Sequence, residues 1–547
     1  MLAHSRRAIA VATGLAVLAP LAACSAHDTA ATTTLVYATG QSEPDCLDPH
    51  VGGNWPQAEL GHQVLESLFA RDDSGEIVPW LAESSEVSDD GLTLTVPLKQ
   101  GIEFSDGTPF NADAVVANME HVRDPDTASS TGILALAKVD EIVATDDHTV
   151  EFRLNTPDSA LTASLAQTWL AIMSPAGIER GQDANCEDPV GTGYFKVESW
   201  ERQNQVTLVR NETHQANMPG EEMPAEGSRL ERLEWRFIPD AATRAAALHA
   251  GQVDVIDQVQ PDTLSQLSQQ DGYETVVAAR PGTTARIELN STRAPFDDPQ
   301  VREAFAISTD IDAAVESLYF GTLDRAYSPL SSSLPEAVDS YDGTNFADVL
   351  AVDTERANQL LDEAGYTERN ADGIRVKDGE ALTVSFPLST NQSIPAEISL
   401  VEQIAASAAE VGFDVQIEQQ DISSWYASSG EWDFDAIIAP YSKSSADVLR
   451  IVYHSDGNTP APSGYHANNT GLADPEIDAK LDEAGSTTDE ARRAELYAEV
   501  QAYLVENYYV VPLYDQTVQF AYRDAVQGFR LDPSLNLVTF TNVTVGA

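Results

Sequence analysis

The sequence predicts an α/β protein, and three patterns carry that reading. Helical stretches end on glycine and give way at once to strands: Asp240 opens an Ala-rich helix that Gly251 ends before Val253-Asp254-Val255-Ile256, and the stretch from Ala396 to Gly412 leads into Phe413–Ile417. Thr354–Gly365 repeats the helix-then-glycine grammar, and two C-terminal helices, Asp474–Ala484 and Thr488–Tyr508, run into the strand Val510-Val511-Pro512-Leu513-Tyr514. In the N-terminal half, Glu86 to Phe104 alternates around Asp89-Asp90-Gly91, a hairpin signature. With 547 residues, 42% of them hydrophobic, the chain can build two to four domain cores at roughly 150 residues each.

Taken in order, the chain opens on an export signal. Arg6 and Arg7 form a basic start, Ala8 to Ala19 an uncharged, mostly apolar run, and Leu21-Ala22-Ala23-Cys24 follows. The run is too short to span a bilayer comfortably, so it reads as cleaved. The residues before Cys24 resemble a bacterial lipobox, which would make Cys24 the lipidated first residue of the mature chain; an ordinary signal peptide with a Cys at the boundary is the other reading. Ser5-Arg6-Arg7 faintly resembles a twin-arginine signal. Residues 1–23 are thus the signal and 24–33 a flexible tether. Thr34–Tyr37 reads as a first strand, Pro56–Phe69 as a helix through Leu60, Val64, Leu65 and Leu68, and Asn111 as the cap of a helix burying Val115, Val116, Met119 and Val122. Arg286–Asn290 alternates like a strand.

Charge excludes one class of partner. With 31 Lys plus Arg against 87 Asp plus Glu, the formal charge of −56 repels nucleic acid and anionic lipid surfaces. Only six of the basic residues are Lys, so a Lys in a cleft is notable. Beyond Cys24, the sequence holds Cys46 and Cys186, an even pair that in an oxidising exterior reads as a disulfide.

The catalytic inventory is nearly empty. There is no GxSxG, HExxH, P-loop or CxxC, and no two of the ten His stand four apart. Asn370-Ala371-Asp372-Gly373 with Asp378-Gly379 lacks an EF-hand's acidic ligands and reads as a solvated hairpin. No cofactor and no metal site is expected. An exported hydrolase working through two carboxylates is the reading from another class; it requires a carboxylate pair about 5 to 10 Å apart across a pocket.

A ladder of motifs then resembles one family. Leu68-Phe69-Ala70-Arg71-Asp72, Ile77-Val78-Pro79-Trp80-Leu81-Ala82-Glu83-Ser84, Asp89-Asp90-Gly91-Leu92-Thr93-Leu94 and Phe104-Ser105-Asp106-Gly107-Thr108-Pro109 come first. Asp188-Pro189-Val190-Gly191-Thr192-Gly193-Tyr194-Phe195, the run from Pro295-Phe296-Asp297-Asp298-Pro299 to Ala304, and Asp474-Pro475-Glu476-Ile477-Asp478 follow in order. The ladder is similar to the extracellular solute-binding proteins of the peptide and nickel class, family 5, of ABC transporters. Gly191 and Gly193 would also supply the backbone conformations of a tight turn.

The resemblance implies an α/β, periplasmic-binding-protein-like two-lobe clamp of class II, the large type with an extra subdomain in lobe I. Lobe I would comprise 34–288 plus 514–547, with the subdomain at about 70–190, and lobe II 289–513. It further implies a non-enzymatic, monomeric, membrane-tethered protein outside the cytoplasmic membrane that captures an oligopeptide or similar polar solute and delivers it to an ABC permease by hinge closure. A metal chelate, nickel complex or haem is the alternative cargo, with His454 and His466 as the nearby donors.

By the same resemblance, Asn54, Trp55, Tyr441, Lys443 and Ser444 would face the cleft, with Tyr465 and Asn391 beside them. For Trp55, ligand lining and packing both stand; for Lys443, so do an anion contact and a solvated surface amine. The positions matching the Asp and Arg that hold a dipeptide's ends in the family are Ser444 and Thr390, which favours a longer peptide or a ligand with an anionic group near Lys443.

Overall fold

The computed structural model of the chain describes residues 33–220, 229–390, 393–461 and 464–546. Cys24, the signal, all of the tether but residue 33, and Asn391 lie outside them. Among the described residues, no helix is long and apolar enough to cross a membrane.

The first lobe is built on a seven-stranded sheet in the order 273–279, 517–523, 255–257, 34–39, 232–237, 205–210, 195–201. Its centre is the strand Thr34–Thr39, which runs parallel to both neighbours, with Tyr37 opposite Trp235 on one side and Val255 on the other. The Tyr37 ring meets Trp235 edge-on at 4.4 Å, and both lie in a core with Val206, Leu208, Phe520 and Phe540.

A separate core fills a four-stranded antiparallel sheet, 86–87, 93–97, 149–154 and 139–146, against the helix Ala112–Arg123. Asn111 caps that helix by accepting from the Ala114 amide, and Val115, Met119 and Val122 are buried beneath it while Val116 is only partly covered.

The largest core surrounds the antiparallel strands 436–438, 285–289 and 510–514, with the parallel pair 383–389 and 414–420 beside them. Between that pair runs the helix Pro395–Val411, closed by Gly412 at φ 115°. The chain crosses between the two large sheets twice, from Ala279 to Ala285 and back from Tyr514 to Thr517. Gly282 is required at the first crossing: its φ is 127°, and a Cβ there would sit 2.2 Å from the Tyr441 carbonyl oxygen.

Two local expectations change. The helix after the first strand spans only Trp55–Gly61; beyond it the chain turns, and Phe69–Arg71 is a strand paired with Ile77–Pro79. Leu60, Val64, Leu65 and Leu68 are all buried, but the apolar spacing is met by a turn rather than by further helix. Gly191 and Gly193 do not have the left-handed backbone of a tight turn. They are needed for close approach: Cβ atoms would lie 2.1 and 2.5 Å from the Val64 carbonyl oxygen, which accepts the Gly193 amide at 2.9 Å.

Cys46 and Cys186 are joined by a disulfide across 140 residues, tying the loop after the first strand to the helix Gln182–Glu187. Replacing both with Ser should cost roughly 2–5 kcal/mol, read as a fall in thermal midpoint. An unchanged midpoint would show that packing alone holds the loop.

Candidate functional site

Where the chain crosses between lobes, a cavity of about 130 Å³ opens with walls from both sides. Trp55, Glu59, Asp257 and Arg280 come from the first lobe, and Tyr319, Glu397 and Tyr514 from the second. Leu323 and Thr517 also line an adjoining cavity of about 420 Å³ with Asp324, Arg325, Asp339 and Asp515. That volume falls within the ~300–1,000 Å³ of small-molecule sites.

Local sequence explains why these side chains converge. Asn54 caps the Trp55–Gly61 helix by accepting from the Gln57 amide at 3.0 Å, so its carboxamide shapes the loop. Trp55 and Glu59 stand four apart and therefore share one helix face, directed to the cavity. Arg280 directly follows the strand Tyr273–Ala279 at the start of the crossing, and its guanidinium lies 3.6 Å over the Trp55 ring. Its Nη2 donates to Ser442 Oγ at 2.8 Å, while its Nε, sealed from solvent, has no partner among the described residues. Burial, only partly offset by the Glu59 charge, lowers the Arg280 pKa to about 10. The group is still a cation at neutral pH.

The carboxyl groups divide by environment. Asp257 is satisfied by Tyr37, Thr39 and the Gly40 amide at 2.8, 2.6 and 2.7 Å. Glu59 accepts from Gln41 Nε2 at 2.8 Å through one oxygen, and its other oxygen is unpartnered among the described residues. Burial, then the Asp257 charge, pushes the Glu59 pKa well above the carboxylate range. Glu397 accepts from the Tyr514 hydroxyl, and burial raises its pKa too. In the larger cavity Arg325 is half-buried, its Nε and Nη1 are shielded and unpartnered among the described residues, and burial lowers its pKa to about 10. The site therefore presents two desolvated guanidinium groups with N–H to give and two carboxyls whose pKa values burial raises.

The run Tyr441–Ser444 bridges the second-lobe core and first-lobe residues 163–167 and Arg280. Tyr441 is buried, with its amide donating to Thr283 Oγ1 at 2.9 Å. Lys443 is buried rather than solvated: its Nζ lies 3.6 Å from Asp447 and donates to Ser164 Oγ at 3.2 Å. Burial lowers its pKa, against Asp447 and Asp158. Ser444 is buried, donates to the Ala163 carbonyl at 3.1 Å and accepts from Gln167 Nε2 at 3.1 Å. Neither Lys443 nor Ser444 lines the two cavities. Tyr465 packs on the second-lobe core beside the Tyr441 ring and the Glu288 carboxylate. Thr390 donates its amide to the Gln420 carbonyl at 2.9 Å, in the strand register.

His454 and His466 lie away from the cavities. The His454 ring accepts the Asp456 amide at 3.0 Å, and His466 sits 5.3 Å from Trp432 with its Nδ1 3.1 Å from the Asn458 carbonyl. Sequence reasoning missed Glu59, Arg280, Tyr319, Arg325 and Glu397. Only Glu59 carried a signal, its spacing of four from Trp55.

Residues 76–463, more than half of the chain, match the family model described as bacterial extracellular solute-binding proteins, family 5 Middle. The glutathione-binding protein GsiB of Salmonella typhi is 28% identical over 532 residues, covering 95% of this chain and 96% of its own. Among solved structures, AgaA of A. tumefaciens with agropinic acid superposes with TM-score 0.77 at 24% identity, covering 94% of this chain and 99% of that one. The Bacillus subtilis oligopeptide-binding protein AppA with a nonapeptide gives TM-score 0.79 at 20% identity over 94% and 99% of the two chains. At those identities the structures establish the fold: α/β, two-lobed, of the large periplasmic-binding-protein type.

Proposed function

The chain belongs to the bacterial extracellular solute-binding proteins of family 5, binding components of ABC importers rather than enzymes, and on that premise we propose that it captures a small zwitterionic, peptide-like solute at the Trp55–Arg280 cavity. The observation that carries this reading is the meeting of a stacked, incompletely bonded Arg280 and the half-free Glu59 carboxyl in one interlobe cavity. Arg280 would take the ligand's carboxylate, Glu59 or Glu397 its ammonium, and the Trp55, Tyr319 and Tyr514 rings its apolar body. Relatives named for glutathione and peptides bind ligands with both kinds of end group. The adjoining cavity with Arg325 gives room for a longer ligand.

The two lobes, with the subdomain at about 70–190, would hinge about the two crossings, 279–285 and 514–517. Tyr441, Lys443, Ser444 and Tyr465 would frame the closed junction and keep Arg280 in place. Cys24 would carry the lipid that holds the chain outside the cell membrane, ready to deliver solute to a permease. Cys24→Ala should release the protein from isolated membranes; retention would exclude the lipid anchor.

Mass spectrometry of the solute released on unfolding the purified protein tests the central reading. A compound with both a carboxylate and an amine supports it, and one lacking a carboxylate sinks it. Glu59 adds a pH signature. An incoming ammonium favours its ionised form, so binding releases a proton wherever the empty site holds Glu59 protonated. Affinity should rise with pH from the ordinary carboxylate range to the raised Glu59 value, then level off. Calorimetry across pH should show that rise and Glu59→Gln should flatten it; an unchanged profile in the variant would remove Glu59 from the contact.

A further inference from the structure

We infer that Asp48, His50 and His121 form a binding site for a divalent cation of the Zn²⁺ type, separate from the interlobe cavity. Asp48 and His50 lie on the loop after the first strand, and His121 is in the last turn of the helix Ala112–Arg123. One donor atom from each lies within 4.8 Å of the others. Asp48 and His50 are fully buried, and the His121 side chain is 13% exposed, which leaves a way in.

The hydrogen bonds arrange the rings as ligands. His50 Nε2 is 2.9 Å from the Ala171 carbonyl, an acceptor only, so Nε2 carries the proton and Nδ1 presents its lone pair. That Nδ1 has no hydrogen-bond partner among the described residues and faces Asp48 Oδ1 at 4.0 Å. A buried lone pair aimed at a carboxylate is a poor hydrogen-bond arrangement, since neither atom can donate, but it suits two ligands of one cation. His121 Nε2 lies 2.8 Å from Asp48 Oδ2, and its Nδ1 lies 3.1 Å from Thr127 Oγ1. As the structure stands Nε2–H donates to Asp48 and the Thr127 hydroxyl donates to Nδ1; a cation would displace the Nε2 proton, and Nδ1–H would then donate to Thr127. Asn185 Nδ2 donates to Asp48 Oδ2 at 2.7 Å and fixes the carboxylate.

Each of the three ligands thus has an outer partner holding its orientation, as metal-binding imidazoles and carboxylates do. Two imidazoles and one carboxylate suit Zn²⁺, whose ligand distances of about 2.0–2.2 Å require only that the rings turn inward. The acidic surround of a chain at −56 also favours a cation. A bound cation would tie the Asp48–His50 loop, which leads into Asn54 and Trp55, to the neighbouring helix. The sequence hides the set because its two His residues stand in different elements.

The full mature chain, stripped with EDTA, should take up one Zn²⁺ per chain by calorimetry and show the visible bands of four-coordinate Co²⁺ when titrated with that ion. His121→Gln should weaken Zn²⁺ binding at least 100-fold and abolish the Co²⁺ bands, with the thermal midpoint of the metal-free protein nearly unchanged. His50→Gln should do the same if it folds, and His249→Gln, on a helix away from the set, should bind like the unaltered protein. No stoichiometric uptake by the unaltered chain, or full uptake by His121→Gln, overturns the site.

Discussion

Replacing Arg280 with Gln should lower affinity for a carboxylate-bearing ligand by about 100-fold or more, with little change in the melting of the ligand-free protein. A desolvated charge in a bound pair is worth roughly 2–5 kcal/mol when truncated. Arg280 is placed for that role because Trp55 supports its face at 3.6 Å, Ser442 holds one terminal nitrogen, and Nε remains to be satisfied by a ligand. Arg280→Lys should recover only part of the loss, since a point charge can neither stack on the indole nor bond a carboxylate through two N–H groups. Trp55→Ala should cost less, about 1–2 kcal/mol, by removing the stack while leaving the charge. Calorimetry with the released solute and with its amidated form checks the assignment. If the amide and the free acid bind equally, or if Arg280→Gln binds like the unaltered protein, the carboxylate is read elsewhere.

The fold was legible where local and tertiary demands agree. Asp240, Asn111 and Gly412 cap their helices in the structure because side-chain oxygens and a left-handed glycine satisfy the same backbone groups in any context. Apolar spacing predicts a helix through Phe69 where the helix ends at Gly61, because a turn buries Val64, Leu65 and Leu68 as a helix would. The site was legible only in part. Trp55 stood out as an aromatic on a Gly-Gly-Asn-Trp-Pro loop, and it lines the cavity. Arg280 and Glu397 could not be singled out in a chain of 31 basic and 87 acidic residues, because what distinguishes them is burial, and burial depends on how the two crossings fold back. Lys443 drew notice through scarcity, and its neighbour Asp447 turns out to be its ion-pair partner inside the junction.

Substituting Arg286 with Met should destabilise the second lobe by about 3–5 kcal/mol near neutral pH, and adding Glu288→Leu should restore most of that loss. Both side chains lie on one face of the first strand after the crossing and are fully buried. Arg286 is bonded to Glu288, donates from Nε to the Tyr453 hydroxyl and from Nη1 to the Thr284 carbonyl at 3.2 Å, and Asn469 donates to the second Glu288 oxygen at 3.0 Å. A buried pair completed in this way is close to neutral against an apolar pair of similar volume, but removing one member strands a charge. The sign of the pH dependence follows from Glu288. Burial already raises its pKa, and losing Arg286 removes the cation that restrains the rise. The folded variant therefore holds a proton that the unfolded chain releases, so its stability falls as pH climbs from the ordinary carboxylate range toward the raised value. Thermal midpoints of Arg286→Met should approach those of the unaltered protein at about pH 4–5 and diverge above, and the double variant should lack the steep loss above that range. Equal losses in the single and double variants at neutral pH would place the stabilising role in the packing of the Arg286 stem against Tyr453, and the charge pair would then have no net part in holding the strand from which the second lobe begins.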